Sequence, residues 1–152
     1  MGYETYHIPV NYTDAGKLFG LFEIRNVVEA VLIGLPALKK WLAAGFSLND
    51  AAAMALLTLI SEVDDTNMVH RGGPELAKKS KEQAKHLLSA VTNDSFKEIL
   101  SSLDEQYIAM HLSPGGCADL LAVSLMFHFL ETCGMISPVI SSSLPHRRHP
   151  SM

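Results

Sequence analysis

Between positions 47 and 63 the chain is apolar on nearly every side that a helix could present. Ala51, Ala52, Ala53, Met54 and Ala55 are followed by Leu56, Leu57, Leu59 and Ile60. A helix of this kind has no face to offer to water, so it belongs at the centre of a bundle with other helices packed around it. Ser47 opens it, and Asp50 three residues later makes an approximate capping box. The neighbouring segments must therefore supply the cover.

Their patterns suit that task. Residues 23–44 read as a long helix with Val28, Val31, Leu35, Leu38 and Leu42 on one face. Gly34 and Pro36 should bend or divide it, and Gly45 stops it. Pro74 suits the first position of a helix over 74–91, whose apolar face is Leu76, Ala77, Ala84, Leu87, Leu88 and Val91. Asn93 is expected to cap the next helix, which turns Phe96, Ile99, Leu100, Leu103 and Tyr107 inward. A last helix runs from Cys117 to about Thr132. No segment alternates as a strand would. The expectation is an all-α fold, a compact bundle of about five to six helices in one domain. Residues 1–13 would form an N-terminal arm, 14–133 the helical body and 134–152 a loose tail.

Totals narrow the functional classes. The 152 residues are 48% hydrophobic and 18% charged, which suits a globular chain able to bury a core. A net charge of −4 gives no electrostatic footprint for bulk nucleic-acid binding. Lys78, Lys79, Lys81 and Lys85 read as a solvated helix face. The most apolar stretch, 120–130, is too short to span a bilayer and contains His128, so no membrane partner is expected. Residues 1–11 lack the basic start and apolar run of a signal peptide. If one helix joins Cys117 to Cys133, the two lie roughly 24 Å apart at about 1.5 Å per residue, beyond the reach of a disulfide. Free thiols fit a cytoplasmic setting.

Two polar breaks interrupt the helical pattern. In the first, Glu62, Asp64 and Asp65 crowd a helix C-terminus, where the dipole is negative and like charges repel. Arg71 or a bound Mg²⁺ would compensate them. Asp64 and Asp65 are candidate metal ligands, because Mg²⁺ commonly takes one or two carboxylates plus substrate phosphates. Thr66 and Asn67 add neutral oxygens, and Asn67 is a candidate ligand contact. His70 is uninformative. Arg71, Gly72 and Gly73 precede a helix start, an arrangement that suits an anion. In the second break, Ser113, Pro114, Gly115 and Gly116 lead into another helix start, with Asp119 expected in its first turn. Ser113, Gly115 and Gly116 are candidate phosphate contacts. Cys117 reads as a small buried residue, since no base stands in a fixed relation to it.

The run Val63–Asp64–Asp65–Thr66–Asn67–Met68–Val69–His70–Arg71–Gly72–Gly73 resembles a hallmark of the triphosphoribosyl-dephospho-coenzyme A synthases. Leu112–Ser113–Pro114–Gly115–Gly116–Cys117–Ala118–Asp119–Leu120–Leu121–Ala122 resembles their second hallmark. The likeness runs from roughly Phe22 to Phe129. It implies an all-helical, Mg²⁺-dependent transferase that joins the 5-triphosphoribosyl group of ATP to 3′-dephospho-coenzyme A and releases adenine. The product would serve the prosthetic group of citrate lyase or malonate decarboxylase. A ribose 2′-hydroxyl attacks the anomeric carbon of ATP in that reaction, and Asp65 or Asp119 is the candidate proton acceptor. The family's chains are longer. Their Pro-Lys-Pro-Gly and Asn-Thr-His-Lys-Gly segments are absent here, Cys117 stands where serine is usual, and Met110–His111 stand where Arg-Asn is usual. The likeness is thus to the C-terminal half alone. A homo-oligomer, or a partner chain supplying the other half, is therefore expected. Two other readings are a non-catalytic nucleotide-binding subunit and a different Mg²⁺-dependent phosphate enzyme.

Overall fold

A computed structural model describes residues 27–139. The expected N-terminal arm, the start of the first expected helix and residues 140–152 lie outside the described residues. The fold is all-α. A π-helical turn, Ala30–Gly34, runs into α1 (Leu35–Ala43), followed by α2 (Leu48–Glu62), α3 (Thr66–Ala90), α4 (Phe96–Ala109) and α5 (Gly115–Thr132).

The apolar segment takes the central place that its composition demands. Ala51, Met54, Ala55, Leu57, Leu59 and Ile60 of α2 are all buried. The helix packs against the π turn, α1, α3 and α5. Ser47 caps it, its hydroxyl accepting the Asp50 N–H at 3.1 Å. Its polar side chains are satisfied within the helix: Thr58 donates to the Met54 carbonyl and Ser61 to the Thr58 carbonyl, at 2.9 and 2.7 Å. Leu38, Ala51 and Ala55 anchor a smaller cluster on the α1 side, while Met54, Leu57, Leu59, Met68, Phe96, Leu103 and Cys117 build the main core. Trp41, Phe46 and Phe96 pack in series, edge to face and then tilted, with ring centroids 5.2 and 4.7 Å apart, and tie the end of α1 to the start of α4.

Three boundaries differ from the sequence reading. The irregularity expected at Gly34 and Pro36 is a widened π turn rather than a break; Pro36 has no N–H to return to the preceding turn. The helix expected from Pro74 is there, but a further helical stretch, 66–72, capped by Asp65, precedes it and is continuous with it in α3. Only Gly73 leaves helical geometry, at φ 80° and ψ 164°, a conformation open essentially to glycine, and Pro74 restarts the helix after this kink. The start of α4 is set by Ser95 and Thr92, whose hydroxyls and N–H groups bond reciprocally, and not by Asn93.

Candidate functional site

The two polar motifs meet. Their joint is Asp65, a carboxylate in a residue only 5% exposed. Its Oδ1 accepts the N–H groups of Asn67 and Met68 at 2.8 and 3.1 Å, which caps α3. Its Oδ2 accepts the N–H of Cys117 at 2.8 Å, in the first turn of α5. One anion therefore sits at the positive ends of two helices and bonds an N–H 52 residues away along the chain. Without it, two like dipole ends would face each other.

Glycines permit this closeness. A Cβ on Gly116 would lie 3.1 Å from Asp65 Oδ1, and one on Gly115 would lie 2.9 Å from Asn67 Nδ2. The motifs touch a second time through Gly72, where a Cβ would stand 2.9 Å from Leu112 Cδ1. Gly115 and Gly116 open α5, so their N–H groups have no partner within the helix. They are the donors that an anion at this end would find.

Asp64 turns the other way. Its side chain is exposed, and Lys81 Nζ donates to its Oδ1 at 2.6 Å. Both line a cavity of about 260 Å³ with Asp65, Met68, Val69, Pro74, Ala77 and Lys78. The kink at Gly73 lets the two parts of α3 share this cavity. Lys78, Lys79 and Lys85 are exposed, as a solvated helix face requires, while Lys81 is half-buried; Lys78 and Lys81 also form part of the cavity wall. The signal was available: Pro74, Ala77, Lys78 and Lys81 fall at the spacing of one helix face. Arg71 and His70 are exposed on the turn before Gly73. Ser113 and Pro114 line a different cavity of about 280 Å³ with Leu57, Leu103, Asp104 and Tyr107. Because α5 begins at Gly115, two residues earlier than expected, Asp119 lies beyond its first turn; it is exposed.

Among the described residues, no three carboxylate, imidazole or thiol groups cluster in a way that could hold a metal ion by themselves. Asp65 is poorly suited as a metal ligand, since both of its oxygens already accept backbone N–H groups. Asp64 is a single carboxylate at a cavity wall. That suits a cation carried in on a polyphosphate better than a resident ion.

Behind Asp65 the apolar core holds two titratable side chains, Cys117 and Tyr107. Burial, and then the Asp65 carboxylate, push the Cys117 thiol far above its ordinary range. Burial likewise raises the Tyr107 phenol, with Ser80 acting in the opposite direction. Cys133 is exposed. Native protein treated with iodoacetamide should therefore label Cys133 within minutes and leave Cys117 unmodified until unfolding, as read by peptide mass spectrometry. Equal labelling of both would contradict the burial of Cys117.

Comparison with known proteins bears on what such a joint belongs to. Residues 24–137 match the family model described as ATP:dephospho-CoA triphosphoribosyl transferase, a span that contains both motifs. The chain belongs to this family. A relative from Pectobacterium atrosepticum, named 2-(5''-triphosphoribosyl)-3'-dephosphocoenzyme-A synthase, is 40% identical over 96 residues, covering 62% of this chain and 31% of the relative. Relatives named as probable synthases of the same kind include one from Pseudomonas fluorescens, 37% identical over 68% of this chain and 36% of its own length. Another, from Streptococcus equi subsp. zooepidemicus, is 41% identical over 64% of this chain and 33% of its own. The chain thus spans about a third of the length of the curated relatives it matches. No solved structure matches it. No described helix is long and apolar enough to cross a membrane.

Proposed function

We propose that this chain holds the triphosphate of ATP for a transferase that joins the 5-triphosphoribosyl group to 3′-dephospho-coenzyme A and releases adenine. The observation that carries the reading is the Asp65 joint, which fixes the starts of α3 and α5 side by side in a member of this family. The Gly115 and Gly116 N–H groups, Asn67 and, from the α3 side, Arg71, Lys78 and Lys81 are the donors proposed for phosphate oxygens. Asp64 is the proposed protein ligand for Mg²⁺, which neutralises triphosphate charge when bound. Lys81 would donate to the phosphate in place of Asp64, from an exposed pair worth only about 0–1 kcal/mol. Asp119, exposed near the start of α5, is the proposed acceptor of the 2′-hydroxyl proton, with Asp65 positioning the two helix ends. The proposed product serves the prosthetic group of citrate lyase or malonate decarboxylase.

A second reading rests on length. The proposal in that case is nucleotide binding by this chain without turnover by it alone, since the match covers about a third of the relatives' length.

Calorimetry with Mg²⁺–ATP, with and without dephospho-coenzyme A, tests both. Mg²⁺-dependent binding together with adenine release supports the first reading, and binding without release supports the second. Absence of binding defeats both. Asp64→Ala should weaken Mg²⁺–ATP binding about tenfold, or about 1.4 kcal/mol, with the circular dichroism spectrum and melting temperature unchanged. Unchanged affinity would reduce Asp64 to a surface partner of Lys81.

A further inference from the structure

Helix α5 is apolar on the side that no other described element covers. Its exposed positions include Ala118, Ala122, Met126 and Phe129, and the exposed Cys133 follows at the same helical phase. These fall at intervals of four, four, three and four residues, one straight stripe. Met126 is 50% exposed and Phe129 47%. Asp119 and Thr132 flank the stripe, and no charged residue interrupts it. Buried positions on the opposite side, Cys117, Leu120 and Ser124, already face the core. A helix that is apolar on both its inner and outer sides is an interior helix, and among the described residues this one has no outer neighbour.

We infer that the outer face of α5 is the seat of the polypeptide corresponding to the two-thirds of the relatives' length that this chain does not match. Three observations select that occupant. The relatives carry roughly twice as much further chain as the matched part, so in them this face has a large body to pack against. The stripe widens from small to large side chains, Ala118 and Ala122 and then Met126 and Phe129, which shapes a seat for a helix. It also begins beside Gly115 and Gly116, so the element seated on it ends over the start of α5, at the proposed triphosphate site. The inference rests on that reading only for what the seated element completes. The docking itself is independent of any nucleotide.

The test co-expresses the full chain with an affinity-tagged remainder of the Pectobacterium atrosepticum relative and measures retention without nucleotide. The expected result is stoichiometric retention of the chain. Met126→Lys combined with Phe129→Glu, which leaves the net charge unchanged, should cut retention at least tenfold. Ile108→Lys, at a site on α4 that is 65% exposed, should leave it unaltered. In parallel, sedimentation of the chain alone should show a monomer with a reactive Cys133. Failure to retain the unmodified chain, or equal retention of the double variant, overturns the inference. So does a dimer of the chain alone that protects Cys133 and is broken by the double variant, because the face would then belong to a second copy. Loss of Mg²⁺–ATP binding with retention intact would strike the functional proposal and leave the docking face standing.

Discussion

Asp65→Ala is expected to lower the unfolding free energy by about 3 kcal/mol. The sum has two parts. An N-cap carboxylate is worth about 1 kcal/mol, and a hydrogen bond from a buried N–H to a charged group about 1.5–3 kcal/mol. Both are lost together, because the same side chain accepts from Asn67, Met68 and Cys117. In a domain of this size the melting temperature should fall by roughly 10 °C, since 1 kcal/mol shifts it by about 2–4 °C. Asp65→Asn separates this role from a catalytic one. An amide keeps one acceptor oxygen but turns an NH₂ donor toward a backbone N–H, so most of the loss should remain. Urea denaturation at unchanged m-value gives the measurement. A variant with the wild-type midpoint and no turnover would return Asp65 to the chemistry.

The same residue shows where sequence reasoning stops. The central helix α2 was legible because apolar residues on every side leave only one place for it. The Ser47 cap was legible because its partner Asp50 is three residues away. The helical stretch 66–72 was not. Of its side chains only Met68 is buried, while Thr66, Asn67, Val69, His70 and Arg71 are exposed, so a stretch of about two turns left no periodicity to detect. Its polarity read as a break, although Asp65 was capping a helix. Gly115 and Gly116 were legible as a place of close approach. That the Asp65 carboxylate and the Asn67 side chain are the groups approached depends on contacts some 50 residues away, which no local pattern carries. Lys81 was likewise hidden, because its partner Asp64 lies 17 residues upstream across the Gly73 kink.

Gly34→Ala should be comparably damaging, for a reason remote from the motifs. A Cβ at Gly34 would stand 2.1 Å from Ser124 Oγ and 3.1 Å from Ser124 Cβ. Ser124 is wholly buried, and its hydroxyl lies 3.0 Å from the Ala30 carbonyl and 2.8 Å from that of Leu120, pinning the π turn to α5. The new methyl must push this hydroxyl aside or separate the two elements. Overpacking of this kind costs about 1–3 kcal/mol, and the larger figure is expected because a buried hydrogen bond is broken as well. Ser124→Ala alone should cost about 1 kcal/mol, from the hydroxyl it removes. The pair should then be non-additive. With the Oγ gone, the nearest contact of the new methyl is 3.1 Å rather than 2.1 Å, so Gly34→Ala with Ser124→Ala should be more stable than the sum of the single changes by about 1 kcal/mol or more. Denaturant midpoints of the four proteins give the coupling directly. Strict additivity would mean that the π turn absorbs the methyl by moving as a whole, and that Ser124 does not hold it against α5.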